Sequence, residues 1–550
     1  MKKFGAILCS LVLAIQAANS SSVAGEFTLQ LRSEQAINEN LDRFHRVEVD
    51  ETWSASETAV IVCDMWDSHH CVNAVRRVAQ LAPRIDSFCN AWRDQGATII
   101  HAPSSCLEAY ANHPARERAA ATPIVEQLPP NIGNWCDQIP SEESAAYPVD
   151  QSAGGEDDDP QDHAMWAARL EAIGRNPRAP WKQQTAGISI DAGRDFISDQ
   201  GDEIWSILTH RKIQNVILVG VHTNMCVLGR PFGLRQMASN GKNVVLCRDL
   251  TDTMYDPNAW PYVSHFTGTD LVIRHVERFV CPTISSEQVL GGQPLRFAKD
   301  DRLRLAMIIA EDEYETETTL PKFAAKHLGQ HFSVTTCFGD SEERHRIRGL
   351  EAVDNADAIL ISVRRRALPP EDLARLRVFV AAGKPVIGIR TASHAFSLRG
   401  KAPPADRAVW ETFDADVFGG NYTNHYGNSL KSKLSVLDDR NHPIARSTDA
   451  LKIRPGGSLY KTAPLAAGSQ ILVQGAVPDQ PAEPVAWTFI RSDGGRSFYT
   501  SLGHVDDFAQ SEFEALLAAG IHWACGLEPH SLAEIQTQNA RYSAGQGRQR

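Results

Sequence analysis

Five short apolar runs constrain this chain more than anything else in it: TAVIVCDMW (58–66), GATIIHAPS (96–104), NVILVGVHT (215–223), NVVLCRDLT (243–251) and TDLVIRHVE (269–277). Each follows a stretch with helical periodicity, such as CVNAVRRVAQLAPRIDSFCNAWRDQG at 71–96. A continuous apolar run that ends in polar residues is the pattern of a strand covered on both faces. Alternation of such strands with helices predicts a parallel sheet with right-handed crossovers and helices on both sides.

A second series begins at LRLAMIIAEDEYETETTLPKFAAKHL (303–328), continues through ADAILISVRRR, EDLARLRVFVAAGKPVIGIRTASHAF and RSFYTSLGHVDDF, and ends in the helical SEFEALLAAGIHWACG (511–526). At 550 residues the chain is too long for one core. The expected fold class is therefore α/β: two three-layer α/β/α domains, each a mostly parallel doubly wound sheet. The expected division is 45–286 for the first domain, 287–300 for a linker, 301–527 for the second domain and 528–550 for a polar tail that frays. Residues 105–180, with several prolines and the acidic EDDDP, read as a long surface excursion able to cover a site, the acidic run being solvated loop.

The N-terminus has two lysines, an apolar stretch of about 12 residues and small residues ending at Ala24, the layout of a cleaved export signal, residues 1–24. Cys9 lies within it. Periplasmic or extracellular location follows, with an uncleaved anchor as the alternative. A net charge of −12 without a basic block excludes a phosphate-backbone footprint, so nucleic acid is not an expected partner. Ten cysteines beyond Cys9 show no regular spacing and no CxxC, so sequence assigns no disulfide, and the default for each is a buried thiol.

Ligands of open parallel sheets bind beyond the carboxyl ends of the strands. Three residues there make chemical sense together: Asp64, Cys226, and Lys182 ahead of the helix leading into the Cys226 strand. A cation favours a thiolate, a carboxylate moves its proton, and the thiolate attacks a carbonyl. The series VIVCDMWD, PWKQQTAGISID and VILVGVHTNMCVLGRPFGLRQMASNGKNVVLCRDLTD, over roughly residues 55 to 285, resembles the isochorismatase-like cysteine hydrolase superfamily. The resemblance implies Cys226 as nucleophile, Asp64 as general base and acid, Lys182 as supporting cation, and a cis peptide between Val221 and His222 that helps aim amides, with that of Cys226, at an oxyanion. The implied activity is hydrolysis of an amide-type carbon–nitrogen bond in a small molecule.

The chain departs from many relatives in having DMWDSHHC after the strand, so Trp66, Asp67, His69, His70 and, from the neighbouring strand, His101 become pocket-wall residues. The Asp-x-His metal pattern of nicotinamidases is absent from IIHAPSSC; no metal and no cofactor are expected, although Asp67, His69, His70 and His101 could converge. The alternative for the triad is a capping Asp64, a surface Lys182 and an inert Cys226.

The second series resembles the trehalose-utilisation-like branch of the amidotransferase-like folds. Arg390 stands where a working amidotransferase would place its cysteine, so thiol catalysis is not expected there. Arg390, His394, His425 and His504 are candidates to hold a carboxylate or carbohydrate, against the alternative that they only satisfy loops. For the whole chain the rival to an enzyme is a ligand- or carbohydrate-binding protein. Substrate and oligomeric state are not encoded legibly.

Overall fold

The computed structural model describes residues 25–37, 43–437 and 441–546. The expected export signal lies outside them. The first sheet has eight strands: β1 (Glu26–Ala36), β2 (Phe44–Ser54), β3 (Thr58–Cys63), β4 (Thr98–Ala102), β5 (Phe196–Ile197), β6 (Asn215–Val221), β7 (Asn243–Asp252) and β8 (Thr283–Ile284). Their spatial order is β2-β1-β8-β7-β6-β3-β4-β5. The six strands β8 to β5 are parallel, and the β1–β2 hairpin closes one edge in antiparallel sense.

Strand residues divide between two cores because successive side chains point to opposite faces. From β3, Ala59, Ile61 and Cys63 pack on one side with Ile204, Ile207, Leu234, Met237, Val272 and Val276. Val60 and Val62 pack on the other with the helix Val72–Asp94, which presents Val78, Leu81, Ile85, Phe88 and Trp92 at helical spacing. Strand β6 divides the same way, Val216 and Leu218 against Ile217 and Val219. The chain runs outward from β3 through β4 and β5, then returns to lay β6 on the other flank of β3. This reversal opens a crevice at the carboxyl ends of β3 and β6, the place where such sheets hold ligands.

The second sheet contains β9 (Leu303–Ala310), β10 (Phe332–Phe338), β11 (Ala358–Val363) and β12 (Val386–Ile389), the two-residue β13 (Asn424–His425) lying apart, then β14 (Lys433–Val436), the two-residue β15 (Tyr460–Lys461) paired with β13, β16 (Ser469–Ala476), β17 (Glu483–Ile490) and β18 (Arg496–Thr500). Its order is β10-β9-β11-β12-β18-β17-β16-β14, parallel from β10 to β18 and antiparallel beyond. Leu305, Met307 and Ile309 of β9 face the helices Thr316–His327 and Ser511–Ala524, while Ala306 and Ile308 face Pro370–Ala381. Two α/β units with helices on both faces are thus present. No helix among the described residues is long and apolar enough to cross a membrane.

Three expectations are corrected. The run TDLVIRHVE is helix, not strand: it lies in His265–Phe279, started by Ser264, whose hydroxyl accepts from Thr267 N, and it buries Val272, Ile273 and Val276 on one face. The acidic run is not simply solvated loop, since its carboxylates are engaged. Asp157 pairs with buried Arg77 at 2.8 Å, Asp158 accepts from Val72 and Asn73 amides at the start of a helix, and Asp159 caps Pro160–Ala172. The tail carries a helix, Leu532–Gln546, which buries Ile535 and sets Tyr542 against Trp260 of the first unit. All ten cysteines of the described residues are free thiols, eight of them buried.

Candidate active site

Asp64 follows the last residue of β3 and is fully buried. Its backbone turns at φ 46°, a left-handed conformation that Asp tolerates better than most residues. That turn lets Oδ1 accept from Ser104 N at 2.8 Å and Oδ2 accept from Arg230 Nε at 3.1 Å. The same carboxylate faces the Cys226 thiol. Burial pushes Asp64 up from its ordinary value, and Arg230 and these hydrogen bonds oppose it.

Cys226 lies in a π-turn, Thr223–Val227, directly after β6. The turn is anchored from three sides. Thr223 Oγ1 meets Thr251 Oγ1 at 2.7 Å, while Asn224 donates to Met254 O at 2.8 Å and accepts from its amide at 2.9 Å. Gly220 lets β6 approach β3: a Cβ there would stand 2.0 Å from the Cys63 carbonyl oxygen, and its φ is 108°. The Val221–His222 peptide is cis. The His222 amide hydrogen-bonds the Cys226 sulfur. Burial first, then the Asp64 carboxylate, push the thiol well above its ordinary range, while Arg230 and the His222 amide pull it down.

Arg230 was not singled out by the sequence. Its amide donates to the Cys226 carbonyl at 3.1 Å, one helical turn on, so C-x-x-x-R in CVLGR was the available signal. Its guanidinium also lies 5.5 Å from the Trp135 ring, within the 105–180 excursion. Lys182, by contrast, is exposed, and its side chain makes no ion pair or hydrogen bond among the described residues. Only its backbone amide is engaged, donating to Asp67 Oδ1 at 3.0 Å. The structure therefore joins Asp64 and Cys226 and puts Arg230 beside them.

The remaining predicted wall residues separate into two groups. Trp66, His69 and Trp181 stack in sequence, Trp66 to Trp181 at 4.8 Å and His69 to Trp181 at 5.9 Å, and His69 abuts His70 and His222. Asp64, Trp66, Ser68, His69 and His222 line a small cavity beside the carboxylate. Burial lowers His69 and His70, and holds His222 down at about 4, so this wall is neutral. Asp67 instead fixes the excursion, pairing with Arg175 at 2.8 Å. His101 belongs to a separate buried network, Nδ1 on Gln184 at 3.0 Å and Nε2 on Asp195 at 3.1 Å, with Arg93 on the same carboxylate. Among the described residues, Asp67, His69, His70 and His101 do not converge as ligands.

In the second unit, Arg390 follows β12 at φ 45° and is 2% exposed. Nη1 donates to Ser501 O at 2.6 Å, Nε has no partner, and the guanidinium lies 4.1 Å from the Tyr314 ring and 4.7 Å from that of Tyr460. His394 stacks on Tyr422 at 4.5 Å and is held at about 3 by burial and four arginines. His425 Nδ1 meets Tyr422 Oη at 2.9 Å, and His504 sits 5.7 Å from Tyr314. The four predicted residues are thus gathered around three tyrosines.

Residues 310–524 match the family model described as ThuA, trehalose utilisation. No curated protein matches. Among solved structures, a ThuA-like protein from Bacteroides uniformis is 14% identical over 42% of this chain and 95% of its own, with a TM-score of 0.32. A cysteine hydrolase from Pseudomonas syringae is 14% identical over 43% and 92%, TM-score 0.26. N-carbamoylsarcosine amidase from Thermoplasma acidophilum is 12% identical over 37% and 87%, TM-score 0.21. The family match thus covers the second unit, residues 310–524, described as ThuA.

Proposed function

We propose that the first unit is a cysteine hydrolase that cleaves an amide-type carbon–nitrogen bond of a small molecule. The observation that carries this reading is the buried Asp64 carboxylate, set facing the Cys226 thiol and hydrogen-bonded to Arg230. Asp64 takes the thiol proton as sulfur attacks the carbonyl carbon. The tetrahedral intermediate collapses to a thioester, and the amine leaves with the proton returned by Asp64. Water then gives a proton to Asp64 and attacks the thioester. The acid departs, and the proton returns to sulfur. The amides of His222 and Cys226 are the proposed oxyanion donors. A carboxylate raised by burial suits both halves, since it must accept and give one proton near neutral pH.

The neutral, aromatic wall of Trp66, Trp181 and His69 suits a flat, uncharged substrate. The second unit is read as a binding unit. Arg390 with Tyr314, Tyr422 and Tyr460 offers a hydrogen-bonding cation among aromatic faces, the surface chemistry of a carbohydrate or carboxylate site, in keeping with the trehalose-utilisation description its residues match. Export with cleavage near Ala24 remains part of the proposal.

The test is ammonia release from a panel of primary amides and carbamoyl compounds, with mass-spectrometric capture of an acyl group on Cys226. Activity lost in Cys226→Ala and Asp64→Asn supports the reading. Activity surviving Cys226→Ala moves the chemistry elsewhere, and iodoacetamide labelling that does not favour Cys226 over the other buried thiols removes the nucleophile.

A further inference from the structure

Three histidines meet at the amino end of the second sheet, away from Arg390 at the carboxyl end. His331 precedes β10, His522 lies in the helix Ser511–Ala524, and His530 precedes the tail helix Leu532–Gln546. One ring nitrogen from each lies within 4.8 Å of the others. The ring centroids are 4.8 Å apart for His522 and His530, 5.5 Å for His331 and His522, and 5.4 Å for His331 and His530.

His522 makes this more than a cluster. It is 1% exposed, its Nδ1 lies 2.8 Å from the Ala518 carbonyl, and its Nε2 is buried without a partner among the described residues. A carbonyl only accepts, so Nδ1 carries the hydrogen and Nε2 presents a bare lone pair. A ring fixed through Nδ1–H to a backbone carbonyl, with Nε2 free, is how proteins orient an imidazole toward a metal. An acceptor buried without a donor is otherwise costly.

We propose that His331, His522 and His530 bind a divalent transition-metal ion of zinc type, which ties the start of the tail helix to the second unit. Three imidazoles and one water complete a tetrahedral shell. Nitrogens around tetrahedral zinc stand about 3.3 Å apart, which follows from bonds of about 2.0–2.1 Å. The exposed His331 and the half-buried His530 therefore close toward the fixed His522 on binding. His331 is steadied by its backbone, whose carbonyl accepts from Leu303 N at 2.9 Å, and His530 Nδ1 lies 3.9 Å from the Glu534 carboxylate, an outer partner for the ring.

The test uses the full chain without a histidine tag, stripped with chelator and titrated with zinc chloride, and separately with cobalt chloride read by visible absorption. The expected result is one equivalent bound, a tetrahedral cobalt spectrum, and affinity at least 100-fold weaker in His331→Ala and His530→Ala. Both substitutions remove half-exposed or exposed rings, so their melting temperatures in chelator should match the parent, which keeps the test valid if His522→Gln folds poorly. Zinc should also protect the segment after Gly526 from proteolysis in the parent alone. No bound equivalent at micromolar zinc, or one equivalent bound as tightly by the His331→Ala, His530→Ala double variant, overturns the proposal.

Discussion

Arg230 holds its Nε 3.1 Å from Asp64 Oδ2 while its amide donates to the Cys226 carbonyl, so one residue connects both members of the thiol–carboxylate pair. Lys182 is exposed and makes no such contact among the described residues. Arg230→Met should slow alkylation of Cys226 and amide hydrolysis by ~10- to 100-fold, the loss of a charged hydrogen bond worth about 1.5–3 kcal/mol. Without the guanidinium Asp64 is held less strongly in its charged form, so the acid limb of the pH–rate profile should move to higher pH. Lys182→Met should leave both within threefold. A larger effect at Lys182 than at Arg230 would restore the order the sequence suggested.

Gly220→Ala should destabilise the first unit by ~2–4 kcal/mol, because a Cβ 2.0 Å from the Cys63 oxygen overpacks the contact between β3 and β6 and a side chain resists φ 108°. Urea unfolding followed by tryptophan fluorescence measures it. Gly174→Ala, at φ 73° with no atom within 4 Å of its new Cβ, is the control that separates conformation from collision.

Glu142 receives Arg235 through Nε and Nη2, both at 2.8 Å, and His275 Nε2 at 2.8 Å, all nearly buried. Although burial alone would raise it, these partners hold its carboxyl down at about 2. A carboxylate depressed in the fold stabilises above its unfolded value of about 4.3 and loses that contribution as pH falls toward 2. Glu142→Gln should therefore lower the melting temperature at pH 7 and make it less sensitive to acid between pH 4.5 and 2.5. Equal acid sensitivity in parent and variant would show that Glu142 does not hold the excursion in place.

The strand series was legible because every residue of β3 and β6 is buried, which leaves an uninterrupted apolar run in the sequence. TDLVIRHVE misled for the same reason: Val272 and Ile273 are adjacent and apolar, and only the Ser264 cap and the next buried apolar residue, Val276, reveal the helical period. The β1–β2 hairpin was hidden because its outer strand buries only Trp53 fully and reads as polar coil. At the site, Asp64 and Cys226 could be placed because one directly follows β3 and the other lies in the turn just beyond β6, strands whose ends the apolar pattern marks. Lys182 sits on the loop just after the excursion, where nothing in the sequence fixes which way a side chain points. Arg230 could have been read from its helical spacing to Cys226, whereas the roles of Asp157 and Asp158 depend on contacts with Arg77 and the Val72 and Asn73 amides about 80 residues away.

Asp414, in the short helix Phe413–Phe418, is 5% exposed and has no cation beside it among the described residues; its Oδ2 accepts from Tyr422 N at 3.3 Å. Burial pushes its carboxyl up to about 7, with a smaller push from Asp416 and backbone hydrogen bonds opposing both. The unfolded chain releases this proton near pH 3.9, so between that pH and about 7 the fold binds the proton that the unfolded chain has lost. Stability from this group is complete below pH 4, falls as pH rises, and is lost above pH 7. Asp414→Asn keeps an oxygen for the Tyr422 amide and carries no charge at any pH. It should raise the melting temperature of the second unit relative to the parent at pH 8, by an amount equivalent to at most roughly 4 kcal/mol, and by far less at pH 4.5. A variant that is less stable than the parent at pH 8 would mean that the Asp414 carboxylate is ionised and paired in the fold.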